Sequence, residues 1–249
     1  MDREREVTSA FVNLANSLVD DFDVVELLSA LTTECARLLD IASAGVLLAD
    51  RRRVLHVLAA SSEATRNLEL FQLQREEGPC LDSYHDGAAV SVPDLEREAE
   101  RWPQFVRAAT QAGFASVHAV PMRVRGHRLG TLGLFGRHVG SLREEDLSLA
   151  QALAHVGSVA VVHGTAVADQ AALAAQLQTA LESRVVLEQA KGVLSQVGDL
   201  DMDGAFSALR SYARSNNERL AEVARAVVSR ELAAGQLLGQ MTKGTSSTP

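Results

Sequence analysis

Apolar residues near the start of the chain recur at spacings of three and four. Val7, Phe11, Leu14 and Leu18 share one side of a helix predicted over residues 4–20, and Leu27, Leu28, Leu31, Cys35 and Leu38 share one side of a second over 23–40. Asp23 stands where its carboxylate can accept from the free amides of the second helix. The period then changes. AGVLLAD (44–50) and VLHVLAAS (54–61) are apolar runs short enough for strands, and the polar turn Arg51–Arg53 between them predicts a hairpin. Helical sequence returns over Glu63–Leu73, and EGPCLDSYHDGAAVSVPDL (77–95) reads as a loop, a short helix and a strand at Ala89–Val92. A helix opens at Arg101-Trp102-Pro103 and ends near Gly113, after which SVHAVPM (116–122) and LGTLGLFG (129–136) flank a turn at Arg125–Arg128. Strands and helices mix without regular βαβ alternation. That pattern points to an α+β fold, an antiparallel sheet flanked by helices.

No proline interrupts Arg143–Val197, where helix formers predict one long connecting helix relaxed at Gly157 or Gly164. Val167, Ala171, Ala174, Gln178, Leu181 and Val185 form a short heptad-like seam, read as a parallel homodimer contact or as packing within one chain. Three helical patterns then complete an all-α bundle. In the first, Val186, Ala190, Val193 and Val197 make the bundle-facing stripe, with Leu187 and Leu194 at its edge. Arg184, Glu188, Lys191 and Ser195 make a second stripe turned away from it, which puts two cations toward water or a partner. Asp201 can cap the second helix, whose apolar positions are Met202, Ala205, Phe206, Leu209, Tyr212 and Ala213. Its other face carries Ser207, Arg210, Ser211 and Arg214; like charges four apart disfavour a helix unless an anion sits between them. Ser215–Glu218 has the spacing of a capping box for a third helix built on Leu220, Val223, Ala224 and Val227. From Gly235 the apolar period fades, and apart from a helical extension the end reads as a disordered tail.

The 249 residues, 47% of them hydrophobic, suit two modest domains with packed cores. Charge divides them. Of the formal −8, residues before 165 carry 16 basic against 23 acidic side chains, and residues 165–249 carry eight against nine. The first region is expected to repel nucleic acid and anionic membrane, and the second would need a local basic patch to bind nucleic acid. Neither a membrane-length apolar run nor a signal-peptide core is evident, so the expected location is the cytoplasm, with no membrane partner. Cys35 and Cys80 are too few for a disulfide framework, and the seven histidines show no metal-binding spacing; His85 and His118 read as surface or satisfied core residues.

AKG at 190–192, followed by AFxxLR at 205–210, resembles the ANTAR domain, an RNA-binding module of bacterial transcription antiterminators. The resemblance implies binding to paired hairpins in nascent transcripts, holding an antiterminator against a competing terminator. Carried onto this chain, the RNA contacts are Arg184, Lys191, Arg210, Ser211, Tyr212 and Arg214, with Asn216, Asn217 and Arg219 beside them. The cations would hold phosphates, and Tyr212 would stack on a loop base or else remain in the core. A DNA-binding helix-turn-helix and a protein-interaction module without nucleic-acid affinity are the alternatives. Upstream, GPC (78–80), VPDL (92–95), RWPxF (101–105) and GHRLGTLGLFG (126–136) resemble a GAF domain, implying a sensor of a small-molecule ligand or a dimerisation module. The resemblance leaves the ligand unnamed and calls for no cofactor: the cyclic-nucleotide signature is absent, and Cys80 is followed by Leu81 rather than the histidine common in bilin-binding relatives. Some GAF domains reduce free methionine sulfoxide. That chemistry needs a resolving thiol, which RWPQFVRAA does not supply, so the chain is read as no enzyme. The expected boundaries are 1–163 for the sensor, 164–178 for the connector, 179–235 for the RNA-binding bundle and 236–249 for the tail.

Overall fold

The computed structural model describes residues 2–16, 23–50, 52–163, 170–216 and 218–244, with the side chains of Asp2, 163–182 and 240–244 outside the described set. The chain divides into two compact units, Met1–Gln178 and Thr179–Pro249.

The first unit opens with α1 (Asp2–Asn16) and α2 (Val24–Leu38). Asp23 caps α2 as expected, its Oδ1 accepting from the amides of Val25 at 2.8 Å and Glu26 at 3.2 Å. Strands β1 (Ser43–Ala49) and β2 (Leu55–Ala60) follow, then α3 (Glu63–Arg75), α4 (Pro79–Asp86), β3 (Val90–Val92), a 3-10 turn at Leu95–Glu98, α5 (Pro103–Gln111), β4 (Ser116–Val124), β5 (His127–Gly136) and α6 (Glu144–His163). The strands form one sheet in the order β2-β1-β5-β4-β3, every pair antiparallel.

Turn chemistry sets the two hairpins. Asp50 closes the first, its Oδ1 accepting from Arg52 N at 2.8 Å and Val54 N at 2.9 Å. The second turns on Arg125 and Gly126, both left-handed at φ 48° and 83°, the backbone that matches the twist of a two-residue hairpin. Glycine adopts it freely; arginine does so at a cost.

Helices cover both faces of the sheet. α2 and α6 pack on one, with α1 against α2, while α3 and α4 pack on the other, with α5 against α3. At Gly157 the helix α6 continues rather than relaxing as the sequence had suggested. A Cβ there would lie 3.1 Å from Leu31, 3.2 Å from Met122 and 3.3 Å from Leu28, so the glycine serves close packing against α2 and β4. Gly164, with the rest of 164–169, lies outside the described residues, as do the side chains of Val167, Ala171, Ala174, Gln178 and Leu181 of the seam.

On the opposite face, RWPxF builds a corner of the core. Trp102 and Phe105 meet edge to face at 6.5 Å, Arg101 lies 4.3 Å over the indole while pairing with Asp82 at 2.6 Å, and Glu77 Oε1 accepts from Phe105 N at 2.6 Å. At the outer edge β3 pairs only with Val117–Ala119 of β4. Beyond it stands Pro121, whose carbonyl accepts from Gln151 Nε2 at 3.0 Å.

The middle of the sheet is glycine on both central strands, Gly45 facing Gly133. A Cβ on Gly133 would approach Glu69 Oε1 to 2.7 Å and Cys80 Sγ to 2.8 Å. Gly133→Ala is therefore expected to destabilise the first unit by about 1–3 kcal/mol through overpacking, read as a lower thermal midpoint. An unchanged midpoint would mean that the groups above the glycine move aside freely.

The second unit comprises the end of α7 (Gln170–Gly198), then α8 (Met202–Asn216), α9 (Leu220–Val228) and α10 (Ala234–Gly244). α8 packs on both α9 and α10. The helix α10, whose Leu237 is fully buried, occupies the start of the stretch read as tail; residues 245–249 lie outside the described residues.

Candidate nucleic-acid interface

α7 buries a different face from the one its valines suggest. Leu187, Ala190 and Leu194 are buried, but Val193 and Val197 are 37% and 58% exposed. Arg184 and Lys191, expected to face water, are buried as well. At 100° per residue, the centre of the buried face lies about 95° from the predicted stripe. Glu188 supplies the physical reason. Its Oε1 lies 2.8 Å from Arg184 Nη2 and 3.3 Å from Lys191 Nζ, so one carboxylate balances two cations whose aliphatic stems pack like apolar side chains. Lys191 Nζ also stands 5.9 Å from the centre of the Phe206 ring, within cation–π range. The signal was present as Arg-x-x-x-Glu-x-x-Lys, the i,i+4 and i,i+3 spacing of helical ion pairs.

α8 follows the expected pattern more closely. Asp201 Oδ1 accepts from Gly204 N at 2.6 Å, capping the helix, and Ala205, Ala208, Leu209 and Ala213 are buried. Ser207, Ser211 and Arg214 are exposed, while Arg210 and Tyr212 are half-buried. The capping box at Ser215–Glu218 does not form. α8 runs through Ser215 to Asn216, whose Nδ2 donates to Tyr212 O at 2.9 Å, and the N-cap of α9 is Arg219, which makes no side-chain cap bond. The extra turn of α8 consumes the residues that the box would have used. α9 then buries Leu220, Val223, Ala224 and Val227 as expected.

Of the nine expected RNA contacts, Ser211, Arg214, Asn216 and Arg219 are thus exposed along the end of α8 and the start of α9. Arg210 and Tyr212 are partly covered, Arg184 and Lys191 are buried, and Asn217 lies outside the described residues. Sequence reasoning passed over Arg225, exposed on α9 three residues after Glu222, since charges interleaved on a helix carry no signal beyond a solvated face.

The first unit holds a second feature, buried between α3, α4 and the sheet. Glu69, Gln72 and Cys80 are all fully buried. Gln72 Nε2 donates to Glu69 Oε2, the Cys80 thiol lies 3.5 Å from Glu69 Oε1, and Gln72 Oε1 accepts from Cys80 N at 3.3 Å. Burial pushes the Glu69 carboxyl up to about 8, against the hydrogen bonds from Cys80 and Gln72 that pull it down. Burial, then the neighbouring Glu69 charge, push the Cys80 thiol well above its ordinary range, which disfavours a nucleophilic thiolate. His118 is buried with its Nδ1 2.7 Å from Ser91 Oγ, a satisfied core residue, and His85 is exposed.

Comparison with known proteins places both units. A family model described as the GAF domain matches residues 23–162, more than half of the chain. The chain belongs to the GAF domain family. A second family model, the ANTAR domain, matches residues 175–228, so the GAF domain is followed by an ANTAR domain. GAF domains are sensory, and ANTAR is the family of RNA-binding antiterminators. Among solved structures, the GAF domain of a phosphoenolpyruvate-protein phosphotransferase from Acinetobacter is similar at 14% identity and TM-score 0.50, over 66% of this chain and 96% of that one. The GAF domain of a phosphoenolpyruvate-protein phosphotransferase from Coxiella burnetii aligns at 12% identity and TM-score 0.51, over 64% of this chain and 95% of that one. The free methionine-R-sulfoxide reductase of Neisseria meningitidis, in complex with its substrate, aligns at 18% and 0.50, over 63% of this chain and 89% of that one. At such identities the likeness is one of fold. No curated protein gives a match. Among the described residues, no helix is long and apolar enough to cross a membrane.

Proposed function

We propose that this protein is a cytoplasmic transcription antitermination regulator whose ANTAR domain binds hairpins in nascent RNA under the control of its GAF sensor. The ANTAR match over α7–α9 is the single observation that carries this reading. Support comes from the row Ser211, Arg214, Asn216 and Arg219, where two guanidinium groups and two polar side chains stand exposed at the joint of α8 and α9. Arginine forks suit phosphate oxygens, and Tyr212 beside them offers an aromatic face for a loop base. Arg184 and Lys191 enter the proposal as buried cations held by Glu188, with Lys191 set against Phe206 of α8. No catalytic step is assigned. A small molecule bound by the GAF domain would act on RNA affinity, and two chains would pair along the 167–185 seam, so that each dimer holds two hairpins.

Arg214→Glu is expected to weaken binding of a labelled two-hairpin RNA about tenfold and to flatten its log-log salt dependence by about 0.7 or more, the share of one phosphate contact plus the added repulsion. Fluorescence anisotropy across a salt series measures both. Parent-like affinity and slope would remove the α8–α9 joint from the interface. Preference for duplex DNA over RNA in the same titration would favour a helix-turn-helix instead, and binding of neither would leave a protein-interaction module. Sedimentation of the full chain with and without RNA tests the pairing.

A further inference from the structure

The GAF domain is acidic as a whole, with 16 basic against 23 acidic residues before position 165, yet one end of its sheet is basic. Leu48 of β1 pairs with Gly130 of β5, so the β1–β2 turn and the β4–β5 turn leave the sheet at the same end. The first turn brings Arg52 and Arg53, the second Arg123, Arg125 and Arg128, and all five are exposed. Arg53 and Arg128 both act electrostatically on the Tyr84 hydroxyl, which places the two turns within reach of one common group.

The acids in the neighbourhood are few. Asp50 is engaged by the turn amides and by His56 at 3.1 Å, and Asp86 ends α4. Among the described residues none of these five arginines pairs with a carboxylate. Arg123 and Arg128 stand directly opposite each other across the hairpin, an arrangement that like charges disfavour. Both reach backbone carbonyls at the end of α4, Arg123 that of Gly87 at 3.4 Å and Arg128 those of Tyr84 and His85, which offer partial negative charge but no carboxylate. Arg53 and Arg125 moreover sit in left-handed backbone, φ 63° and 48°, where glycine or asparagine would be cheaper. The arrangement costs stability at several positions and returns no internal ion pair.

From this geometry we infer that the turn end of the GAF sheet is a second RNA-contacting surface, gripping backbone phosphates without reading sequence. The inference rests on the RNA-binding reading of the ANTAR domain and extends it to the sensor. Exposed guanidinium groups on two turn tips match phosphates spaced along a chain better than a small enclosed ligand, and the bidentate fork of arginine fits each phosphate. Such contacts would lengthen the footprint on the transcript beyond the hairpin loops.

The test uses the full chain and a labelled RNA carrying two hairpins in tandem, titrated by anisotropy over a range of salt. Arg52→Glu with Arg125→Glu is expected to leave thermal unfolding unchanged, because among the described residues neither side chain has a hydrogen-bond partner. The same double variant should weaken RNA binding roughly tenfold and flatten the log-log salt slope by about 1.4, two contacts at about 0.7 each. Arg97→Glu, on the 3-10 turn with its side chain 84% exposed, should bind like the parent. Parent-like binding and slope in the double variant overturn the inference while the ANTAR reading stands. Equal weakening by Arg97→Glu also overturns it, since net charge alone would then explain the loss. So does arginine-dependent capture on phosphatidylserine vesicles with RNA affinity intact, which would make the patch a membrane contact. A parent protein that binds no RNA removes both readings together.

Discussion

Replacing Ala190 with aspartate is expected to unfold the C-terminal unit. Ala190 is fully buried between Leu187 and Leu194, and the neighbouring cation Lys191 is already held by Glu188. An unpaired buried carboxylate costs several kcal/mol, comparable with the whole stability of a small helical unit. Val193→Asp, at a position 37% exposed, should change stability by only about 0.5 kcal/mol or less. The pair separates the two helix phases, because the valine pattern puts both residues on one buried stripe. Circular dichroism during thermal unfolding of the full chain is the measurement, and a parent-like melt for Ala190→Asp would show that α7 is wrongly phased.

A second large effect is expected at Glu69. Its carboxyl titrates near 8 when folded, against an ordinary value of 4.5. Below about 4.5 the group is protonated in both states and pH has no leverage through it. Between 4.5 and 8 the unfolded chain releases a proton that the folded chain retains, so stability falls as pH rises, by about 1.4 kcal/mol per unit. Above 8 both states are ionised and the loss is complete. Glu69→Gln keeps one acceptor oxygen, for Gln72 Nε2, turns an amide N–H toward the Cys80 sulfur and has no proton to lose, so its stability should stay flat across that window while the parent's falls by a few kcal/mol towards its alkaline end. Chemical denaturation at a series of pH values measures this. Parallel curves for the two proteins would mean that water or a rearranged side chain solvates Glu69.

Much of the fold was legible because its signals are local. Asp23 and Asp201 announce helix starts through short-range acceptor geometry, and the strand runs are bounded by turns whose residues fit those turns. The order of strands and the division of helices between two faces depend on contacts far apart in sequence, which periodicity does not encode. The site was harder to read for a related reason. Burial of Arg184 and Lys191 follows from Glu188 and Phe206 acting together, and a hydropathy pattern counts all three charged residues as surface. The failed capping box at Ser215–Glu218 is the same lesson at shorter range: two helix ends competed for those residues, and the longer α8 won. The acid at Glu69 gave no warning at all, because its acceptability depends on two glycines from distant strands opening space beneath it.

Pro121 has a consequence of its own. β3 pairs with only three residues of β4, and a strand margin without a neighbour is a template for pairing with another chain. Proline carries no N–H to offer there, and its carbonyl is already taken by Gln151. With donor and acceptor both withdrawn at one position, an incoming strand finds a break in the ladder soon after β3 ends. The β4 margin is thereby guarded against cross-chain pairing at this position without a longer edge strand.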